Sequence, residues 1–434
     1  MSKLSKFSFL GIFLVIFNSC SKGETPIIEP STVENPQPQP EVPNEPAEEI
    51  YFTYSAPAGD GDNWIVIHDT NGVLVDYKKV ENGGPIKFMA LNEAIPEKMS
   101  VTELFYSKDA GNNQYHTLVT YTDIAPGSVW DRLIKAPQST AVGTFSVHIE
   151  NIPGIQSNTI STTNGAINAA ASNTVGNNAN AILNLLDIPL YESDEYIISI
   201  YDFAGGHKYL KLSPPMDTDD ITVDYSDLLL YNSILEVNLP AYDFALLFTY
   251  GYLEADPNFY WSGQAFSNHL DFNSSGLFMA GYLDNYSKYR TDFSITQGDF
   301  TYGFTTAGDR LQDITIPAKP SFTLENATIY DMKYTSELTP ITKNTRHSYN
   351  TFDAQGAAIR TQWEVLSSGS EPHKVGHLPE EIVALYPDIN LENITLDVVN
   401  LVTKGIPQQS LFNEATLQER KGNFTIESFG FSNF

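Results

Sequence analysis

One cysteine in 434 residues rules out an intramolecular disulfide and any cysteine-rich zinc site. Positive charge is scarce as well: 24 Lys and Arg stand against 53 Asp and Glu, a formal net charge of −29. Binding phosphate needs a basic face, so this balance excludes nucleic acid as a partner. The common catalytic signatures are missing too: there is no His-Glu-x-x-His, no Gly-x-Ser-x-Gly elbow and no phosphate loop ending in Gly-Lys-Ser/Thr. Gly59-Asp-Gly61 starts like a dinucleotide fingerprint, but Trp64 stands where the third glycine belongs and a strand follows where a helix should open, so it reads as a turn. What is plentiful is packing material. Hydrophobic residues make up 41% of the chain, with 24 Tyr and 25 Phe, which excludes wholesale disorder.

The first 19 residues carry no acid and two lysines, Lys3 and Lys6, followed by the apolar run Phe7–Phe17. Eleven residues suit a signal-peptide core and fall short of the roughly 20 that a spanning helix needs. Small Ser19 then precedes Cys20. Basic start, short apolar core, small residue and cysteine together resemble a bacterial lipoprotein precursor. The looser form Phe17-Asn18-Ser19-Cys20, without the usual leucine three residues before the cysteine, is similar to outer-membrane lipoproteins of the Bacteroidota. The resemblance implies a signal peptide over 1–19, cleavage before Cys20, diacylglycerol on its sulfur and an acyl chain on the new amine. The membrane is then a partner through Cys20, since three chains hold far more firmly than the single chain that binds only reversibly.

Residues 20–49 read as the lipidated cysteine and a disordered tether. Seven prolines and seven glutamates crowd residues 23–49, and no Lys or Arg occurs between Lys22 and Lys78. Proline and like-charge repulsion keep such a stretch extended, reaching roughly 80 Å if fully stretched and about 30 Å as a coil. Lys22-Gly23-Glu24 partly matches the Lys-plus-acid signal that directs surface exposure in similar lipoproteins, so the cell surface is expected over the periplasmic face of the outer membrane.

From residue 50 onward β-branched and aromatic runs alternate with turn residues, predicting an all-β body of two or three sandwich-like domains with minor C-terminal helix. The expected divisions are 50–137, 138–265 and 266–434. Strands are expected at 50–54, 64–67, 73–77, 85–91, 99–107 and 115–124, with Asn71-Gly72 as a hairpin turn. Later strands are expected at 278–282, 289–296, 300–306, 321–324, 328–334, 358–365 and 423–431, and helices at 379–386 and 408–420. An offset of 133 residues lays Trp64–Gly72 over Ile197–Gly205, Ser100–Glu103 over Ser233–Glu236 and, with a four-residue gap, Leu118–Tyr121 over Leu247–Tyr250. This suggests that the second domain repeats the first with a long insertion at 151–195, of which Gly154–Ile182 is a mobile loop without apolar period.

Candidate sites are few. His373 and His377 would share one face of a helix and could hold a metal there, but Pro372, Gly376 and Pro379 oppose a helix, so a solvated loop is expected. Asp217, Asp219 and Asp220, with Asp224 and Asp227, form the densest acidic cluster. Their spacing suits Ca²⁺, the one cofactor the sequence offers. The EF-hand order is absent, and acidic turns around a strand at Ile221–Val223 explain the same residues. Tyr260 and Trp261 stand on an expected loop. Tyr286 and Tyr289 flank Lys288 and Arg290 in a locally basic spot, and exposed aromatics of this kind bind sugars or proteins. The reading that results is a lipid-anchored, non-catalytic surface protein, a binding or adhesive accessory for a glycan or protein ligand. The rivals are a metal- or carboxylate-dependent hydrolase on the same scaffold and an interaction protein without a small ligand.

Overall fold

The computed structural model describes residues 48–434 except 57–61, 82–84, 92–93, 133–139, 164, 167–171, 178–179, 193, 214–219, 260–262, 370–373 and 406–419. The expected signal peptide, Cys20, the tether up to residue 47 and nearly all of the expected helix 408–420 lie outside the described residues.

The all-β expectation holds: the described residues form 26 strands and one short α-helix. The first group is β1 (Glu48–Ser55), β2 (Asp62–Asp69), β3 (Leu74–Lys79), β4 (Ile86–Leu91), β5 (Met99–Lys108), β6 (Gln114–Ile124) and β7 (Ser128–Asp131). The second is β8 (Gly143–Ile152), β9 (Ser157–Thr162), β10 (Gly165–Ala166), β11 (Ser172–Asn177), β12 (Asn180–Leu190), β13 (Tyr196–Tyr201), β14 (His207–Leu212), β15 (Asp220–Asp224) and β16 (Leu229–Leu230). The third is β17 (Ser233–Tyr252), β18 (Gln264–Tyr282), β19 (Lys288–Gln297), β20 (Phe300–Gly308), β21 (Phe322–Asn326), β22 (Lys333–Ser336), β23 (Thr342–Phe352), β24 (Ala358–Ser368), α1 (Glu380–Leu385), β25 (Thr395–Lys404) and β26 (Phe424–Ser432).

Twelve strands share one sheet in the order β18-β17-β19-β20-β26-β25-β23-β24-β6-β5-β2-β3. All its pairings are antiparallel except β24–β6, which fuses strands of the first and third groups. The boundary expected at 265/266 falls inside β18. Side chains alternate as half-buried strands require: on β19, Tyr289, Thr291, Phe293 and Ile295 are buried while their neighbours on the other face are not.

The sheet β4-β1-β7 closes over one face of β2, β5 and β6, burying Phe52, Ile65, Ile67, Phe88, Val101 and Trp130. The opposite face of the same strands carries α1 and the segments around it, with Val66, Leu104, Leu118, Trp363 and Ile382 inside. In the second group, β11-β12-β8-β15 packs on β10-β9-β13-β14-β16 around Val147, Ile149, Leu183, Ile198 and Ile200. The stretch 154–182 was expected as a loop, yet it contains β9, β10, β11 and the start of β12. Ser, Thr and Asn there gain their strand conformation from pairing with neighbours, as in β11 against β12, rather than from an apolar period of their own.

Four hairpin turns obey one scheme. Asp69, Asp109, Asp202 and Asp353 each donate their amide to the carbonyl four residues on, at 2.9, 3.1, 2.9 and 2.9 Å. Each carboxylate accepts the amide of that same residue, at 2.9, 2.9, 2.7 and 2.8 Å. The residue three after the aspartate is left-handed in all four: Gly72, Asn112, Gly205 and Gly356, with φ between +63° and +88°. Asn71, the other residue of the expected Asn-Gly turn, does not take positive φ. The shared Asp and Gly of 64–72 and 197–205 therefore coincide with a turn chemistry that also occurs outside the 133-residue offset. The other two matched stretches lie on the two arms of the β5–β6 hairpin in the first copy and on the single strand β17 in the second. The correspondence is confined to the hairpin.

Candidate binding groove

The chain leaves β24 and returns along residues 374–394, crossing the face of the sheet that α1 covers. Glu380 and Glu381 occupy the first turn of α1, where carboxylates meet unpaired amides favourably. Ile382 is its buried contact, and Val375, Leu378, Tyr386 and Ile389 extend the apolar seam onto Trp363 and Leu118. Polar pins fix the segment as well. Tyr386 donates its hydroxyl to Asp62 at 2.9 Å and accepts the indole N–H of Trp64 at 2.9 Å. Burial pushes this phenol up to about 12, so it keeps the proton it donates. His68 Nε2 lies 2.9 Å from the carbonyl of His377. Gln114 donates to Asp388 at 3.0 Å.

Between this strap and the ends of β23 and β24 lies an open groove of about 420 Å³. Tyr349, Thr351 and Ile359 line it from the sheet; Val383, Pro387, Asp388, Asn390, Leu391, Glu392 and Asn393 line it from the strap. Asn390 Oδ1 accepts both the amide and the side-chain N–H of Asn393 at 3.0 Å, which shapes the rim. Amides and carboxylates thus stand beside apolar walls and one half-buried tyrosine ring. Such a surface can hydrogen-bond hydroxyls while a flat C–H face rests on the ring and the aliphatic side chains. Sequence reasoning missed this groove. Its only local signal is a run of turn-forming residues, Pro387-Asp388 and Asn390 to Asn393, directly after a short helix.

The residues singled out from sequence are scattered. Tyr286 and Tyr289 are buried and do not form an exposed group. The Tyr286 ring covers Gly251, where a Cβ would lie 2.3 Å from it, and its hydroxyl bonds to Gln264. Tyr289 donates to the carbonyl of Leu283 at 2.8 Å and accepts from Arg310 at 3.0 Å. Tyr289 sits on the inward-facing register of β19, while Tyr286, in the turn between β18 and β19, lays its ring into the space left by Gly251; this accounts for their burial. Tyr260 and Trp261 lie outside the described residues. Their neighbour Phe259 is buried against Tyr252 and Phe424, and its carbonyl accepts Arg290 Nη1 at 3.4 Å. Arg290 also stacks 4.1 Å over Tyr250 and pairs with Asp292 at 3.0 Å. The loop carrying the first aromatic pair is thus fastened to the basic spot noted beside the second.

Asp217 and Asp219 lie outside the described residues. Asp220 contacts His148 Nε2 at 2.8 Å. Asp224 accepts from Ser226 and Asn151, which hold its carboxyl below the ordinary range. Among the described residues no three His, Cys, Asp or Glu side chains could hold a metal ion together. His373 lies outside the described residues; His377 is exposed, on the irregular segment before α1. Also among the described residues, no helix is long and apolar enough to cross a membrane.

No family model matches this chain, and no curated protein does. Among solved structures, one chain is similar over 74% of this protein and 92% of its own length, at 10% identity and a TM-score of 0.12. It comes from a structure described as "Ca2+-stabilized adhesin helps an Antarctic bacterium reach out and bind ice". A likeness of that size carries no argument about this chain.

Proposed function

We propose that this chain is a lipid-anchored, non-catalytic protein of the outer membrane, displayed at the cell surface, that captures a glycan in the groove between β23, β24 and the 383–393 strap. The anchoring half rests on one observation, the sole cysteine placed directly after a basic, apolar, small-residue leader. The binding half rests on the groove's mixture of one tyrosine ring, apolar walls and amide and carboxylate groups on a strap pinned by Tyr386, Ile382 and His377. A capture role also fits the histidines. His68, His116, His207, His269 and His347 are all buried within the packed sheets, committed to structure rather than offered to a substrate.

Two experiments test the two halves separately. Cys20→Ser should move the protein from the membrane fraction to the soluble one, and protease shaving of intact cells should digest the wild-type body; retention at the membrane, or protection from protease, refutes the address. A glycan array probed with the folded body should give hits that fall at least tenfold for Tyr349→Ala and Asn390→Ala. Hits that survive both substitutions place the binding surface elsewhere, and an empty array removes the glycan reading.

A further inference from the structure

The strands β17 and β18 form a long ribbon that pairs along its whole length, from Ser233↔Tyr282 to Gly251↔Gln264, with a register shift between Leu239 and Tyr242. Asn273 and Gly276 take positive φ at the matching place on β18. The ribbon folds back there, because residues nine apart in one strand touch: the His269 ring stacks on Phe278 with centroids 3.7 Å apart. Thr249 donates to the carbonyl of Gly281 at 3.0 Å, and the Gly281 amide donates to Ser267 Oγ at 2.9 Å. The two arms are therefore held by side-chain-to-backbone bonds.

One of these bonds dictates a protonation state. The Met279 amide lies 3.1 Å from His269 Nδ1. A backbone N–H only donates, so Nδ1 must accept, and neutral His269 is the Nε2–H tautomer. On its other face the ring meets Tyr201, the last residue of β13, at 3.8 Å. The surrounding contacts between the second sandwich and β18 are polar. Ser157 donates to the carbonyl of Asn268 at 3.1 Å, Ser161 donates to that of Ala265, and His207 Nε2 sits 3.2 and 3.3 Å from Ser199 and Ser267. His269 is thus the point where both arms of the ribbon and the second sandwich meet.

We propose that His269 is an acid-sensitive latch: neutral, it closes the folded ribbon beneath β13; protonated at Nδ1, it releases that fold. Protonation turns the acceptor into a donor facing another donor, so the Met279 bond is lost outright. The flanking rings of Tyr201 and Phe278 favour a cation somewhat, but they supply no acceptor for the new N–H. The ionisable groups facing the site are Tyr201 from β13, His207 from β14, Asp271 on the same strand and Tyr242 of β17, whose hydroxyl holds Asp271 at 2.9 Å. Phe278 and Met279 bring no charge. Burial pushes the His269 imidazole down to about 4, with the Asp271 carboxylate pulling it the other way. Its neighbour His207 is lower still because it is buried beside His269.

The test is amide hydrogen exchange on the whole folded body, corrected for the intrinsic pH dependence of exchange. In the wild type, protection of Met279 and of the 264–282 segment should fall about tenfold per pH unit between 6.5 and about 4. His269→Asn keeps an acceptor near the Nδ1 position without a titrating group, and its protection should fall less steeply than the wild type's over that range. Equal pH dependence in both proteins, or level protection in the wild type, overturns the latch. Should the variant fail to fold, imidazole nitrogen shifts in the wild type decide. A bare Nδ1 and protonated Nε2 at pH 7, lost together with Met279 protection on acidification, supports the latch; an Nδ1–H tautomer, or titration that leaves Met279 protected, overturns it.

Discussion

His68 donates from Nε2 to the carbonyl of His377, 309 residues further along the chain, and its ring occupies the space a side chain on Gly376 would need. A Cβ built on Gly376 would lie 2.1 Å from the imidazole. The first hairpin turn leans on the same point, since a Cβ on Gly72 would meet the Gly376 backbone at 3.3 Å. The groove's strap is therefore seated on the first hairpin by an approach only glycine permits.

Gly376→Ala should push the His68 ring away and loosen the strap. Overpacking of this kind costs about 1–3 kcal/mol. A urea midpoint equal to that of the wild type would show that the two segments yield without cost.

The buried histidines should make the body acid-labile. His347 Nε2 donates to the carbonyl of Ala327 at 3.2 Å, and burial pushes the ring down to about 4. The unfolded chain binds that proton near pH 6.5, so between 6.5 and about 4 the unfolded state holds more protons and stability falls as pH falls. The slope from this residue is about 1.4 kcal/mol per pH unit. Denaturation midpoints measured from pH 7 to pH 4.5 should fall less steeply in His347→Gln; parallel profiles would refute the assignment.

Arg132 clamps the bottom of the first sandwich. It meets Glu103 through two contacts, Nε at 3.3 Å and Nη2 at 2.7 Å, and the same carboxylate accepts the Tyr54 hydroxyl at 2.6 Å. Both side chains are only 16% exposed, so removing one partner strands a charge in a poor solvent. Arg132→Met should cost about 3–5 kcal/mol, and Arg132→Lys should recover little of it because the two-pronged geometry is lost. Full stability of Arg132→Met in a denaturant titration would show the pair to be dispensable.

The shared turn scheme gives a smaller prediction. At Asp353 the carboxylate accepts the amides of Gln355 and Ala357, both at 2.8 Å. Asp353→Ala should cost about 1 kcal/mol, and Gly356→Ala a similar amount because φ there is +88°. Unchanged thermal midpoints for both would mean the strands alone close the hairpin.

Much of the strand content was legible in the chain. The runs at 50–54, 64–67, 99–107 and 115–124 alternate and are punctuated by Asp, Asn and Gly, and they became β1, β2, β5 and β6. Several strands escaped notice, among them β7, β9, β14, β23 and β25. β23 is mostly Thr, Asn, Arg, His and Ser; only its place between β25 and β24 makes it a strand. The groove was illegible for the same reason. Tyr349 and Asn390 become neighbours only after α1 has packed on Trp363 and the strap has been pinned to Asp62 and His68.

Local chemistry in the sequence set the secondary structure: a period of two along the strands, an aspartate with a left-handed residue three positions later at four turns, and a short helix opened by Pro379-Glu-Glu. The sequence also carries, unaided, the acidic balance and the apolar run ahead of Cys20. The tertiary structure decided which strands lie side by side, above all β24 beside β6, that the rings of Tyr286 and Tyr289 are buried, and that the 383–393 strap overhangs a groove. Alternation and turn geometry depend on residues a few places apart. A strand's neighbour and a side chain's burial depend on which apolar faces find one another across hundreds of residues, and a single chain read in order does not display that sum.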